Sequence, residues 1–200
     1  MSHYFLTPES ETTRHRVTGT IWGRDYTFAS ANGVFSATRL DPGTSVLFRL
    51  CTPPEDRPAR FLDLGCGFGP IAIALAISCP QVLVDAVDTN ERALELTAEN
   101  ARAAGVEDRV NVCLPSEVPP QVRYDEIWSN PPIRIGKQAL RALLEQWLAR
   151  LTFEGQARLV VGKNLGADSL QSWFASTGWA VERLGSSKGF RVFRLSLNRW

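Results

Sequence analysis

Histidine is scarce in this 200-residue chain, and only His3 and His15 are present. The four cysteines, at 51, 66, 79 and 113, form no Cys-x-x-Cys pair and lie far from either histidine in sequence. Zinc sites and disulfide frameworks rest on such groupings, so neither is expected here, and no metal is assigned. Long apolar runs are missing as well. The longest, Ile71 to Ile77, falls far short of the ~20 residues that a membrane span needs. The stretch from Met1 to Glu11 is polar and acidic, without the apolar core of a secretory signal, so the expected location is the cytoplasm, with no membrane partner. Neither sign of charge dominates. With a formal net charge of +1, any grip on nucleic acid must come from a local basic patch. Repeats and low-complexity segments are absent. What remains, 44% hydrophobic and 22% charged residues over this length, is the composition of one soluble domain with a sizeable core.

Residues 1–15 read as an irregular lead. Val17 to Ser30 is rich in β-forming residues around Gly23-Arg24-Asp25 and predicts a hairpin or two short strands. Asp41-Pro42-Gly43-Thr44 reads as a turn before a short helix from Ser45 to Cys51, and the proline-rich stretch from Thr52 to Ala59 as a linker. From there strands and helices alternate. Strands are expected at 60–64, 82–87, 109–114, 124–129, 157–162, 179–184 and 190–197, with helices at 70–79, 91–104, 137–151 and 168–176. The result is an α/β fold: a Rossmann-like, doubly wound, seven-stranded and mostly parallel sheet with helices on both faces. The short Gly185–Gly189 connection makes one strand near the C-terminus antiparallel.

Chemistry-bearing residues collect at the carboxyl ends of strands, where ligands sit in open α/β sheets. The first group is Asp63 with Gly65, Gly67 and Gly69 in Phe61-Leu-Asp-Leu-Gly-Cys-Gly-Phe-Gly-Pro70. Glycines let the backbone approach a ligand closely. The spacing differs from the Gly-x-Gly-x-x-Gly dinucleotide fingerprint, and the leading acid would repel a pyrophosphate. It would attract an ammonium group, and S-adenosylmethionine (SAM) carries an ammonium and a sulfonium but no phosphate. Cys66 fits as a small residue rather than a nucleophile. The second is Asp88, 19 residues beyond Gly69: either an acceptor for two ribose hydroxyls or an acid favoured by the dipole of the following helix. Asp85, inside the same strand, faces a solvated edge on this reading. The third is Asn130-Pro131-Pro132-Ile133. Two prolines remove two N–H donors and stiffen the chain, so fixed carbonyls and an asparagine amide can grip an exocyclic –NH₂; the alternative is a turn that ends a strand.

Together these residues resemble the class I SAM-dependent methyltransferases of the RsmC-like, small-domain group. The resemblance covers nearly the whole chain: Gly33-Val-Phe-Ser36, Asp41-Pro-Gly-Thr44, the glycine motif, Asp88, Asn130-Pro-Pro-Ile-Arg-Ile-Gly-Lys137 and Lys188-Gly-Phe-Arg-Val-Phe193. It implies transfer of a methyl group from SAM, leaving S-adenosylhomocysteine, to guanine N2 of small-subunit (16S) ribosomal RNA. The partner is then ribosomal RNA or the small ribosomal subunit. It further implies that Asp63, Gly65, Cys66, Gly67 and Gly69 hold the methionine part of the cofactor, with Asp88 and Thr89 at the ribose. Ser116 is the nearest match to the adenine contact, and Phe35 covers the cofactor as part of a β-rich extension (1–52) on the main domain (53–200). Asn130, which also borders the cofactor, forms the amine pocket with Pro131, Pro132 and Ile133, where Ile133 gives apolar contact without π-stacking. Arg134, Lys137 and Arg141 meet RNA phosphates. Rival readings are a methyltransferase for a protein amide, adenine N6 or a small-molecule amine, a non-catalytic SAM- or RNA-binding assembly factor, and an NAD-dependent oxidoreductase.

Overall fold

The computed structural model describes residues 13–132 and 135–198. Its first element is a two-stranded hairpin of β1 (Arg14–Ile21) and β2 (Arg24–Ala31). The turn is Trp22-Gly23, with φ of 49° and 78°, and positive φ at both positions is what a tight two-residue hairpin turn requires. A tryptophan tolerates this conformation because its side chain is held elsewhere. Trp22 Nε1 donates to the carbonyls of Phe48 (3.1 Å) and Cys51 (2.7 Å), and its ring packs edge-on against Phe48 and Trp128.

The main sheet has seven strands: β3 (Ala59–Leu64), β4 (Val82–Val87), β5 (Val110–Cys113), β6 (Tyr124–Ser129), β7 (Leu151–Gly162), β8 (Trp179–Ser187) and β9 (Phe190–Leu197). Their order in space is β5-β4-β3-β6-β7-β9-β8. Pairs from β5 across to β7 are parallel, and β9 is antiparallel to both its neighbours. The chain steps outward from β3 to β5 and then returns to lay β6 on the other side of β3. That reversal opens a crevice at the carboxyl ends of β3 and β6. The doubly wound, mostly parallel sheet expected from the alternation of elements is therefore the one observed.

Helices cover both faces. The hairpin, α1 (Pro42–Leu50), α2 (Pro70–Ser78) and α3 (Glu91–Ala103) share one buried cluster with Phe61, Val84 and Trp128. On the other face, α4 (Lys137–Leu148) and α5 (Ala167–Ser176) pack on Leu62, Tyr124 and Leu159. α2 is buried from Pro70 through Ala76, which explains its apolar residues on every side.

Five expectations change, the first being that β8 runs on through Ser187, so that Lys188-Gly189 alone turns into β9. Helix α1 starts at Pro42, because Asp41 is its N-cap: Asp41 Oδ1 accepts from Gly43 N (2.7 Å) and Thr44 N (3.0 Å), and Pro42 has no N–H to satisfy. β1 begins at Arg14, inside the stretch expected to be irregular, and the Arg14 guanidinium makes a two-pronged bond to Glu99 of α3. β7 begins at Leu151, well before Ala157. Its register with β6 shifts between Tyr124 and Glu126, and Gly155 fits there only because it lacks a Cβ, which would stand 2.9 Å from the Tyr124 carbonyl. Asp85 does not face solvent. It is buried and accepts from Arg60 Nε and Nη2 (3.0 Å each), Asn111 Nδ2 (3.1 Å) and Tyr124 OH (2.7 Å). The β5–β6 connection carries Pro115, Pro119 and Pro120 and forms only a 3₁₀ turn at Pro115–Glu117, so no helix arises there. On the face of β4 that carries Asp85, Leu83 is 52% exposed. A cavity of ≈ 510 Å³ lies beside them, lined by residues that include Arg60, Leu83 and Arg109, at the amino ends of the strands and away from the glycine turn.

Candidate active site

The turn after β3 is pinned sideways. Gly65 N and Cys66 N both donate to the Val87 carbonyl, at 2.8 and 3.0 Å, tying the turn to the end of β4. Gly65, Gly67 and Gly69 have φ of 77°, 58° and 88°, a region that costs other residues about 1–2 kcal/mol. A Cβ on Gly65 or Gly67 would meet no atom within 4 Å, whereas one on Gly69 would stand 2.8 Å from Thr97 Cγ2. The first two glycines thus leave open space in front of the backbone, and the third packs against α3. That helix supports the turn from behind. Thr97 Oγ1 donates to the Gly67 carbonyl (2.9 Å), and Asn100 Nδ2 donates to the carbonyls of Phe68 and Ala29 (2.8 Å each). Asn100 Oδ1 accepts from Ala29 N at 2.7 Å, so a single buried amide ties the hairpin to the glycine turn. Cys66 is buried, and burial together with the nearby Asp88 and Asp63 holds its thiol well above the usual range, which suits packing rather than nucleophilic chemistry.

Asp63 lies beneath this turn and is fully buried. Its Oδ2 accepts from Ala72 N in the first turn of α2 (2.9 Å), while Oδ1 has no hydrogen-bond partner among the described residues. Burial pushes its carboxyl up to about 8, with the Ala72 N–H opposing and Asp88 adding to the rise. Asp88, half-buried after β4, reaches across to the same turn: its Oδ2 accepts from Gly67 N and its Oδ1 from Asn90 N, both at 3.0 Å. Burial raises its pKa, and the N–H groups of Asn90, Gly67 and Thr89 restrain the rise. Asn90 Nδ2 donates to the Gly33 carbonyl (2.8 Å) and Arg92 Nη1 to that of Asn32 (3.1 Å). The loop leading to Phe35 is thereby fastened to the head of α3, and Phe35 itself is 47% exposed. Ser116 is exposed in the 3₁₀ turn after β5.

On the far side of the glycine turn, Ser129 Oγ donates to the Leu64 carbonyl at 2.6 Å, locking the end of β6 to the end of β3. Asp63 and Trp128 are register partners, so Asn130 emerges opposite Gly65. Asn130 Nδ2 donates to Asp41 Oδ1 (2.7 Å) and to Thr44 Oγ1 (3.1 Å). Pro131 is buried and Pro132 half-buried; Ile133 and Arg134 lie outside the described residues. Along the rim the order is Ser116, Asp88, the glycine turn and Asn130, following β5-β4-β3-β6. Lys137 is exposed at the start of α4, whereas the Arg141 guanidinium sits 5.3 Å over the Trp173 ring. Lys163 N donates to the Gly189 carbonyl (2.7 Å), so Lys163 and Lys188 meet at the same end of the sheet.

Sequence reasoning gave no site role to Asp41 and Thr44, which it read as part of a turn, and passed over Thr97 and Asn100. Asp-Pro at a helix start is a capping signal, and polar residues three apart on the buried stripe of α3 are a signal too. Neither reveals which distant carbonyl or amide is gripped. Among the described residues, no cluster of His, Cys, Asp and Glu side chains is placed to hold a metal ion, and no helix is long and apolar enough to cross a membrane.

The model of a family described as the methyltransferase small domain matches residues 25–194. Uncharacterized protein YbxB of Bacillus subtilis (strain 168) is 34% identical over 174 residues, which is 86% of either chain. Ribosomal RNA small subunit methyltransferase C of Citrobacter koseri is 34% identical over 188 residues, covering 89% of this chain and 53% of that protein. This chain thus spans about half the length of that relative. Among solved structures, the T. thermophilus 16S rRNA N2 G1207 methyltransferase (RsmC), in complex with AdoMet and guanosine, matches with a TM-score of 0.77 at 23% identity, over 96% of this chain and 52% of that one. Since the family model takes in every element from β2 into the last strand, β9, the chain belongs to the methyltransferase small-domain family.

Proposed function

We propose that this protein is a SAM-dependent methyltransferase that methylates an exocyclic amino nitrogen, with guanine N2 of small-subunit ribosomal RNA as its target. The observation that carries the reading is the juxtaposition across β3 and β6: an Asn-Pro-Pro cluster emerges directly opposite a glycine turn with open space before its backbone. The residues fit the cofactor. Asp63 has a buried oxygen beneath the turn without a partner among the described residues, which a cationic group brought against the turn would stabilise. Gly65, Cys66, Gly67 and Gly69 would hold the methionine part, Asp88 and Thr89 the ribose, and Ser116 the adenine end. The hairpin and α1, with Phe35, would form the cover. Bound there, SAM supplies a sulfonium methyl that is already activated.

The protein's own work is then alignment more than base catalysis, and alignment is worth ~7–11 kcal/mol when the reacting atoms are held about 3 Å apart. Asn130 and the carbonyls around Pro131 and Pro132 offer acceptors to an amine and stabilise positive charge as it develops on nitrogen. A guanine within a duplex would first be flipped out of its stack. The RNA reading is supported by the relatives named ribosomal RNA small subunit methyltransferase C and by the cations at this end of the sheet. Lys137, Lys163 and Lys188 are available for phosphates, Arg134 is a further candidate, and Arg141 is engaged with Trp173.

The test is methyl transfer from labelled SAM to small subunits and to purified rRNA from cells lacking the gene, followed by digestion to nucleosides. N2-methylguanosine is the expected product. N6-methyladenosine, or label in protein alone, would overturn the target. Absence of transfer to RNA with SAM binding intact would overturn the RNA substrate while leaving the cofactor.

A further inference from the structure

We infer that Asp41 and Thr44 are positioning residues for the methyl-transfer site: they fix the Asn130 amide so that its oxygen, and not its nitrogen, is offered to the substrate. The inference rests on the reading above and deepens it. Asp41 Oδ1 accepts from Gly43 N and Thr44 N as the cap of α1, so the third group at 2.7 Å must also be a donor. The opposite flip of Asn130 would set two oxygens against each other at that distance. Thr44 Oγ1, buried, accepts the second proton of Nδ2 at 3.1 Å. Both amide protons are thereby used, and among the described residues no donor reaches Asn130 Oδ1.

Pro131 and Pro132 have no N–H to contribute. Apart from the backbone N–H of Asn130, the mouth formed by Asn130, Pro131 and Pro132 therefore presents acceptors. Such a mouth binds a group that brings its own protons, an –NH₂, and leaves a carbonyl or ring nitrogen without a partner. Guanine carries its N2 amine close to other polar edges, so a rotated Asn130 would offer N–H where the amine needs an acceptor. α1 is itself anchored: Phe190 of β9 packs on Gly43, where a Cβ would stand 2.9 Å from its ring. The N-terminal segment is in this way part of the acceptor pocket and not only a cover.

Asp41→Ser separates the two duties of Asp41, since serine keeps the helix cap but is too short to hold Asn130. Thr44→Val removes the second acceptor without changing shape. Asp41→Asn is the conservative control, because its oxygen can still accept from Gly43, Thr44 and Asn130. Two readouts decide. In side-chain amide NMR of the free protein, with Asn130 assigned by its disappearance in Asn130→Ala, the wild-type pair should be shifted and protected from exchange. Asp41→Ser should return it to exposed behaviour, and Asp41→Asn should keep it. In turnover on rRNA, Asp41→Ser should lower kcat by about a hundredfold with KM for SAM unchanged, the scale expected when a reacting group is misplaced by about 1 Å. Asp41→Ser should add no further loss in an Asn130→Ala background.

An unaltered Asn130 amide in Asp41→Ser, or an equal loss in both backgrounds, overturns the inference. If the wild-type protein methylates no RNA, the functional reading fails, and the NMR comparison still decides what Asp41 does.

Discussion

Asp63→Asn tests the electrostatics beneath the glycine turn. The folded carboxyl is pushed up to about 8, against an ordinary value of 3.8 in the unfolded chain. Between those values the folded protein keeps a proton that the unfolded chain releases. Stability is therefore highest below the ordinary value and is lost as pH rises toward about 8, by about 1.4 kcal/mol per unit. From pH 5 to pH 8 the loss amounts to about 4 kcal/mol. Asparagine has the same shape and can still accept from Ala72 N, but it cannot ionise. The assay is urea unfolding of both proteins without cofactor at each pH. Asp88 and Glu126 are raised as well and slope the same way, so the quantity to follow is the difference between variant and wild type. That difference should grow in favour of Asp63→Asn by about 1.4 kcal/mol per unit across the window. Parallel curves would refute the reasoning, because they would mean that Asp63 is already ionised in the folded protein. Saturating SAM should flatten the wild-type slope, and SAM affinity should rise with pH as binding expels the proton.

Asn130→Ala should cripple methyl transfer while sparing SAM binding, checked by turnover alongside calorimetric titration; wild-type turnover would remove the amide from the reaction. In Gly67→Ala the new Cβ meets no protein atom, so thermal unfolding should show only the strain of a φ of 58°, about 1–2 kcal/mol, while SAM affinity collapses. Asn100→Ala leaves Ala29 and Phe68 groups without their partner, and should cost about 3 kcal/mol in urea unfolding and loosen β2 in hydrogen exchange. A Lys137→Ala/Lys163→Ala variant should bind rRNA with a salt dependence shallower by about 2 in log–log slope, whereas an unchanged slope removes both from the RNA face.

β3 and β4 were legible because each is a short, largely apolar run that closes on a glycine (Gly65) or an acid (Asp88). Their carboxyl ends were legible for the same reason, and Asp63, Asp88, Ser116 and Asn130 fall along one rim. The failures have a common cause. Asp41 read as a turn because a cap and a turn share the residues Asp, Pro and Gly, and its bond to Asn130 is a contact that no local pattern encodes. Asp85 looked like an edge acid because a lone carboxylate inside a strand gives no hint of Arg60, Asn111 and Tyr124 converging on it from three other places in the chain. The early start of β7 was hidden because Gly155 reads as a breaker, yet it is what lets β7 pass the Tyr124 carbonyl.

The tie between Asp41 and Asn130 joins residues 89 apart, and the one between Ala29 and Asn100 joins residues 71 apart. Both bridge an earlier-made stretch of the chain to parts made much later. Contacts of such long separation form late, because the intervening chain must be ordered before they repay its closure. On the proposed reading, a nascent chain that has completed β3, its glycine turn and β4 carries most of the residues assigned to the cofactor but not those assigned to the substrate amine. On the same reading, the acceptor pocket comes into being only once β6 has joined the sheet, so a copy truncated before β6 would have the glycine turn but no capacity to methylate an amine.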